Sequence, residues 1–214
     1  MFPLGSVLLP SMFLPLHVFE PRYRALMEDC MAGSREFGVV LIERGSEVGG
    51  GDQRTTVGTM ARIVEAVEMP DGRWAVGSVG VRRIRVEQWL PDDPYPRAEV
   101  TDHDDPESED DDALAALATE VVGVTARLRR VLAQAAEMGM QVAPATQELS
   151  DDPVLASYQL VALSPCGPAD QQRLLEAPTA LGRVQSLGGL LVEQETALAQ
   201  QLALQARDDE LGGP

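Results

Sequence analysis

The sequence predicts an α+β protein. A small β barrel or sandwich occupies residues 1–101, an acidic connector 102–112, and an α-helical bundle 113–214. Three observations carry this. In the first hundred positions, apolar residues come in short β-branched or aromatic runs broken by Pro, Gly and Asp-Gly. Residues 101–112, TDHDDPESEDDD, offer nothing a hydrophobic core uses. Beyond them the apolar period changes from 2 to 3.6.

GSVLL (5–9) and MFLPLHVF (12–19) read as strands punctuated by proline, and a helix fits from Glu20 to Ala32. FGVVLI (37–42) is a continuous apolar run, as expected of a strand buried on both faces. TVGTMARIVEAVEM (56–69) places Val57, Ala61, Ile63, Val67 and Met69 on one parity, with a bulge expected around Val64–Ala66. PDGR (70–73) is a tight turn, because Asp71-Gly72 tolerates a positive φ. WAVGSVGVRRIRVEQW (74–89) is the return strand, where Ile84 and Val86 alternate with Arg83, Arg85 and Glu87, and YPRAEV (95–100) completes a set of about six. The connector reads as solvated, its last acids standing where a helix begins and complementing the helix dipole. Leu114, Leu117, Val121, Val124, Leu128, Val131, Ala135 and Met138 then form one helical seam. SDDPVLASYQLVAL (150–163) supplies capping residues and an early Pro153. PADQQRLLEA (168–177) reads as a short helix and 181–205 as a long one, in which Gly188-Gly189 marks a close helix crossing.

Composition narrows the chemistry. All 17 basic residues are arginine, and without lysine the chain has no P-loop, Ser–Lys or Schiff-base chemistry. The formal charge of -17 divides into 14 acids against 11 arginines in 1–101, 8 acids and no arginine in 102–112, and 12 acids against 6 arginines in 113–214. Phosphate backbones and anionic membranes attract basic faces, so neither nucleic acid nor membrane is an expected partner. Cys30 and Cys166 form no disulfide framework or zinc site, and read as free thiols of a cytoplasmic protein. No cofactor or metal is expected. The two histidines, His17 and His103, lack ligand spacing, and the connector lacks EF-hand spacing. EVGGGD (47–52) joins two strands instead of leading into a helix, so it reads as a hairpin tip. Cys166, in the loop SPCGP ahead of a helix, is the one nucleophile candidate.

The opening stretch remains. FPLGSVLLPSMFLPLHVFEPRYRALM resembles the start of the Lon-protease amino-terminal, or substrate-binding, domain. The correspondence runs through Phe2-Pro3-Leu4, Pro10, Pro15-Leu16 and Phe19-Glu20-Pro21-Arg22-Tyr23; Ser11 stands where that family usually has Gly. VGTMARI from Val57, the PDGR turn, and Gly80 and Arg83 of GVRRIRV follow in order, and the later helices match that domain's helical half. The resemblance implies a PUA-like β pseudo-barrel followed by a helical bundle. It also implies a stand-alone, non-catalytic bacterial version, without the ATPase and Ser–Lys protease modules of the full enzyme.

What the resemblance implies for function is binding of unfolded or tagged polypeptide segments, as an adaptor in protein quality control with a protease as candidate recipient. Phe13, His17 and Phe19 are the candidate peptide-binding residues, although two phenylalanines in a strand more often belong to a core. Glu20, Arg22, Tyr23 and Arg24 read as a lock at a strand-to-helix junction, held by charge-assisted hydrogen bonds. The expected surface is on the barrel or in the cleft between barrel and bundle. The alternatives are a structural or oligomerisation module paired through its last helix, a small cysteine-dependent enzyme, or an RNA-binding PUA-like protein using Arg82, Arg83 and Arg85. The expected state is a monomer or weak homodimer.

Overall fold

The computed structural model describes residues 1–45, 53–106 and 110–211, with side chains through residue 202. The chain divides into two compact units, Met1–Asp104 with Pro168–Glu176, and Asp105–Gly167 with Ala177–Pro214. The expected glycine-rich loop at 47–52 lies outside the described residues.

The first unit is a six-stranded sheet with one helix inserted after its second strand. Its strands are β1 (Phe2–Leu4), β2 (Phe13–Val18), β3 (Glu36–Arg44), β4 (Gln53–Glu68), β5 (Trp74–Leu90) and β6 (Arg97–Asp102), and helix α1 spans Pro21–Ala32. The order is β1-β3-β4-β5-β2, with β6 also on β5; among the described residues only the β1–β3 pair is parallel. The 17-residue β5 therefore serves β4 along one side and β2 and then β6 along the other. This open sheet, closed by no β1–β2 pairing among the described residues, is the pseudo-barrel that the resemblance implied. The register shift between Ile63 and Glu65 leaves Val64 as the extra residue, at the expected bulge. Gly72, at φ 78°, turns the β4–β5 hairpin, whose Met69 N–H donates to the Arg73 carbonyl at 2.7 Å.

One expected strand is absent. GSVLL is buried through Leu8 and Leu9 but is not itself a strand among the described residues. Its backbone instead wraps onto β4 and β5. Thr59 Oγ1 donates to the Leu8 carbonyl at 2.6 Å, and Ser11, at φ 66°, donates its N–H to the Gly80 carbonyl. A Cβ on residue 80 would run into the Leu9 carbonyl oxygen, so only glycine admits this approach. The strand lies earlier, at Phe2–Leu4, in a three-residue run whose Pro3 concealed it. The core gathers Phe2, Val18, Tyr23, Met27, Phe37, Val39, Ala61, Ile63 and Trp74. Each large apolar side chain removed from water there contributes about 1.5–3 kcal/mol.

Arg83 departs from its expected outward position. It is 2 % exposed, with Nε donating to the His103 carbonyl at 2.7 Å and Nη1 to the Leu175 carbonyl at 2.9 Å. The second of these belongs to α4 (Pro168–Leu175), which was expected in the bundle but falls within the first unit. Leu174 and Leu175 bury its apolar face.

The second unit holds α2 (Asp111–Glu137), α3 (Pro153–Leu163) and α5 (Ala180–Leu211). Asp110 caps α2 and Asp152 caps α3, each carboxylate accepting from two backbone N–H groups of the first turn. Leu117, Val124, Leu128 and Val131 bury the α2 seam as the spacing predicts. The connector is not wholly solvated, since Asp105 is 5 % exposed and its carboxylate accepts from Tyr158 and Arg183.

Candidate functional site

The Phe-Glu-Pro-Arg-Tyr run sits where β2 hands over to α1. Glu20 is the N-cap residue and Pro21 opens the helix, where a missing N–H costs nothing. Glu20 does not cap with its side chain; its Oε2 accepts from Arg22 Nε at 3.0 Å instead. The Arg22 guanidinium lies 4.5 Å from the centre of the Tyr23 ring, a cation–π contact. Tyr23 stacks on Phe2, with centroids 4.1 Å apart and rings 14° from parallel, and Phe2 meets Phe37 at 6.1 Å. Arg24 lies against Gly72, where any Cβ would strike its guanidinium. Tyr23 thus links α1 to β1 and Arg24 links it to the β4–β5 turn, while Glu20 and Arg22 bind each other at the start of the helix.

β1 and β2 are the two ends of the strand order, yet residues of both line one cavity of about 210 Å³. Its walls are Phe2 and Leu4 of β1, Pro15, Leu16, His17 and Val18 of β2, and Phe19, Glu20 and Tyr23 beyond. The cavity is therefore the unclosed seam of the pseudo-barrel. Pro15 suits such an edge, because a strand that donates on one side only tolerates a missing N–H.

The sequence-selected residues divide between two places. His17, exposed on β2, and Phe19, 57 % exposed, stand at the seam with Glu20 and Tyr23. Phe13, 62 % exposed, lies at the other end of β2 with its ring over Gly77. The ordinary expectation that both phenylalanines join the core is thereby overturned. The sheet's outer face explains it, since Phe13, Pro15 and His17 pair with Val79, Gly77 and Ala75 and point with them to solvent. Val64 and Val67 of β4 are also more than half exposed.

The other candidates have different surroundings. Arg82 is bound by Glu36 at 3.0 Å and Asp102 at 2.8 Å, Arg83 is buried, and Arg85 Nη2 lies 3.0 Å from His103 Nε2, so the three form no open basic patch. Cys166 is buried and in no disulfide, whereas a nucleophile must meet its substrate. Burial pushes the Cys30 thiol up from its ordinary value. Among the described residues no three His, Cys, Asp or Glu side chains gather as metal ligands, and no helix is long and apolar enough to cross a membrane.

The family model of the ATP-dependent protease La (LON) substrate-binding domain matches residues 1–193. The chain belongs to this family. Over 193 residues it is 28 % identical to Lon protease 2 of Herpetosiphon aurantiacus, an alignment covering 89 % of this chain and 23 % of that relative. It thus spans about a quarter of the length of that relative. A crystal structure of a Lon N-terminal domain protein from Xanthomonas campestris is similar with a TM-score of 0.57 and 27 % identity, over 87 % of this chain and 94 % of that one. The N-terminal domain of Lon protease from the Mycobacterium avium complex shares the fold, with a TM-score of 0.60 at 18 % identity over 91 % and 96 %. The matched domain is the substrate-binding part of such proteases, and the fold is that of a Lon-like recognition module.

Proposed function

We infer that this protein binds extended polypeptide segments at the β1–β2 seam, as a non-catalytic recognition module of cytoplasmic protein quality control. The observation that supports it most is a cavity flanked by two strand edges that lack partners on that side among the described residues. A strand edge offers a row of N–H and C=O groups to an incoming chain, and an adjacent pocket selects a side chain. At about 3.3 Å per residue, the six residues of β2 present roughly 20 Å of edge. The cavity is the size of one large side chain, with the Phe2–Tyr23 stack against it and Phe19 at its rim. Family membership supports a protein client, and the charge of -17 with its engaged arginines speaks against RNA. Handing clients to a protease, and acting as a monomer or weak homodimer, belong to the same reading.

The test is fluorescence anisotropy with a labelled, permanently unfolded model protein and its folded counterpart. The unfolded form should bind at tens of micromolar and the folded form should not. Covering the exposed part of Phe19 removes roughly 100 Å² from water, a gain of about 2.5 kcal/mol before the cost of ordering the client is met. Phe19→Ser should therefore weaken binding about tenfold at unchanged thermal stability, and Phe13→Ser much less. Equal binding of both forms, or a Phe19→Ser variant that binds as the parent does, would refute the seam.

A further inference from the structure

Helix α2 has two uncharged faces. One is the buried seam of Leu117, Val124, Leu128 and Val131. The other looks outward. Ala115, Thr119, Val122, Ala126, Arg129 and Ala133 are all exposed and follow one another at intervals of 4, 3, 4, 3 and 4, the spacing of a helix that pairs along a seam. Val122 is 71 % exposed, more than any other large apolar side chain among the described residues. Between Asp112 and Arg129 every exposed residue of α2 is uncharged. Thr119 needs no partner from outside, since its hydroxyl donates to the Ala115 carbonyl at 3.0 Å. A helix face that meets only water ordinarily carries charges.

The charges stand at the two ends of this strip. Asp111 and Asp112 lie before it and Arg129 and Arg130 after it, all exposed. Among the described residues the side chains of Asp111, Asp112 and Arg129 form no ion pair, and Arg130 shares its guanidinium with Glu195 at 3.1 Å. The pattern is symmetric. The two aspartates stand as far before the midpoint of Thr119 and Val122 as the two arginines stand after it. A second α2, laid antiparallel and centred on that midpoint, sets Ala115 against Ala126 and Thr119 against Val122. It also sets the acidic end of each helix against the basic end of the other, so the charges match at both ends. A parallel copy would bring like charges together at both ends, which selects against that orientation.

We propose that the outward face of α2 is the contact between two copies of this chain, paired antiparallel about Thr119 and Val122. The side chains along it are small, so the two helices approach to about 8 Å. The strip from Asp111 to Arg130 is about 29 Å long at 1.5 Å per residue and about 10 Å wide. That is less than the roughly 800 Å² per copy of a stable interface, so the pair is weak and reversible, with a Kd on the order of 0.1 mM. The contact lies on the second unit and does not rest on the reading of the β1–β2 seam, which belongs to the first.

The test is sedimentation equilibrium of the whole chain at concentrations up to about 1 mM. A monomer–dimer equilibrium should appear, and it should weaken severalfold from about 50 to about 500 mM salt, because the end pairs are exposed. Val122→Glu, a surface change, should weaken the dimer about tenfold or more and leave the unfolding midpoint of dilute protein where it was. Two charge-reversed variants, Asp111→Arg with Asp112→Arg, and Arg129→Glu, should each self-associate more weakly than the parent. Mixed together they should pair again, since each reversed end then faces opposite charge. A chain that stays monomeric at about 1 mM would leave the face to a helix of another protein and overturn the self-pairing. A dimer that Val122→Glu leaves intact, or reversed variants that recover nothing on mixing, would place the contact elsewhere and overturn it as well.

Discussion

At the scale of single residues, the second unit is organised by one buried cation. Arg183, fully buried, donates to Ser157 Oγ at 2.7 Å, to Asp105 Oδ1 at 2.8 Å and to the Tyr158 hydroxyl at 3.0 Å. Tyr158 in turn donates to Asp105 Oδ2 at 2.6 Å. Arg183→Met takes the guanidinium away from the buried Asp105 carboxylate, and breaking such a buried pair costs about 3–5 kcal/mol. Urea unfolding should show that loss, and a loss below about 1 kcal/mol would mean that water reaches the aspartate. Glu36 gives a pH signature. Partial burial pushes its carboxyl up, but hydrogen bonds from Arg62 and Arg82 outweigh this and hold it below its ordinary 4.5. A lowered carboxyl pKa contributes stability above the ordinary value and loses it as pH falls through the lowered one. The unfolding midpoint of the parent should therefore exceed that of Glu36→Gln at pH 7, and the gap should close below pH 4.5. A gap independent of pH would show that the charge of Glu36 is not what Arg62 and Arg82 recognise. Neither Arg183 nor the burial of Arg83 was legible in the sequence. Alternation places Arg83 opposite Ile84 but cannot say that α4, some 90 residues later, covers that side.

At the scale of elements, the glycine pair of α5 separates two physical effects. A Cβ on Gly188 would come within 3.3 Å of Val124 on α2, whereas one on Gly189 would meet nothing within 4 Å. Gly189→Ala should stabilise the protein by about 1 kcal/mol from helix propensity alone, and Gly188→Ala by distinctly less, because the α2 contact must yield. Equal gains in the denaturation midpoints would show that the two helices part freely there. The crossing itself was readable, as were the cap of α3, the β4–β5 turn and the bulge at Val64, since each depends on local chemistry. GSVLL was misread because burial and strand pairing look alike in sequence. Leu8 and Leu9 are buried by a backbone that wraps, held by Thr59 and admitted by Gly80. The seam was half legible. His17 and Phe19 stood out as binding candidates and Glu20 and Tyr23 as a structural lock, but that β1 and β2 line one cavity without pairing follows from the strand order, which only the structure gives.

At the scale of the whole molecule, the charge of -17 opposes the approach of phosphate backbones, which supports the proposed polypeptide partners. The chain belongs to a substrate-binding family, and the residues offered for client binding lie on the first unit. The most direct measurement is amide hydrogen exchange of the full chain, with and without a saturating unfolded client. Binding at the seam predicts slowed exchange at Phe2, Leu4 and the Leu14–Phe19 amides other than Pro15, with α2, α3 and α5 unchanged. Protection confined to those helices, or none at β1 and β2, would contradict recognition at the seam.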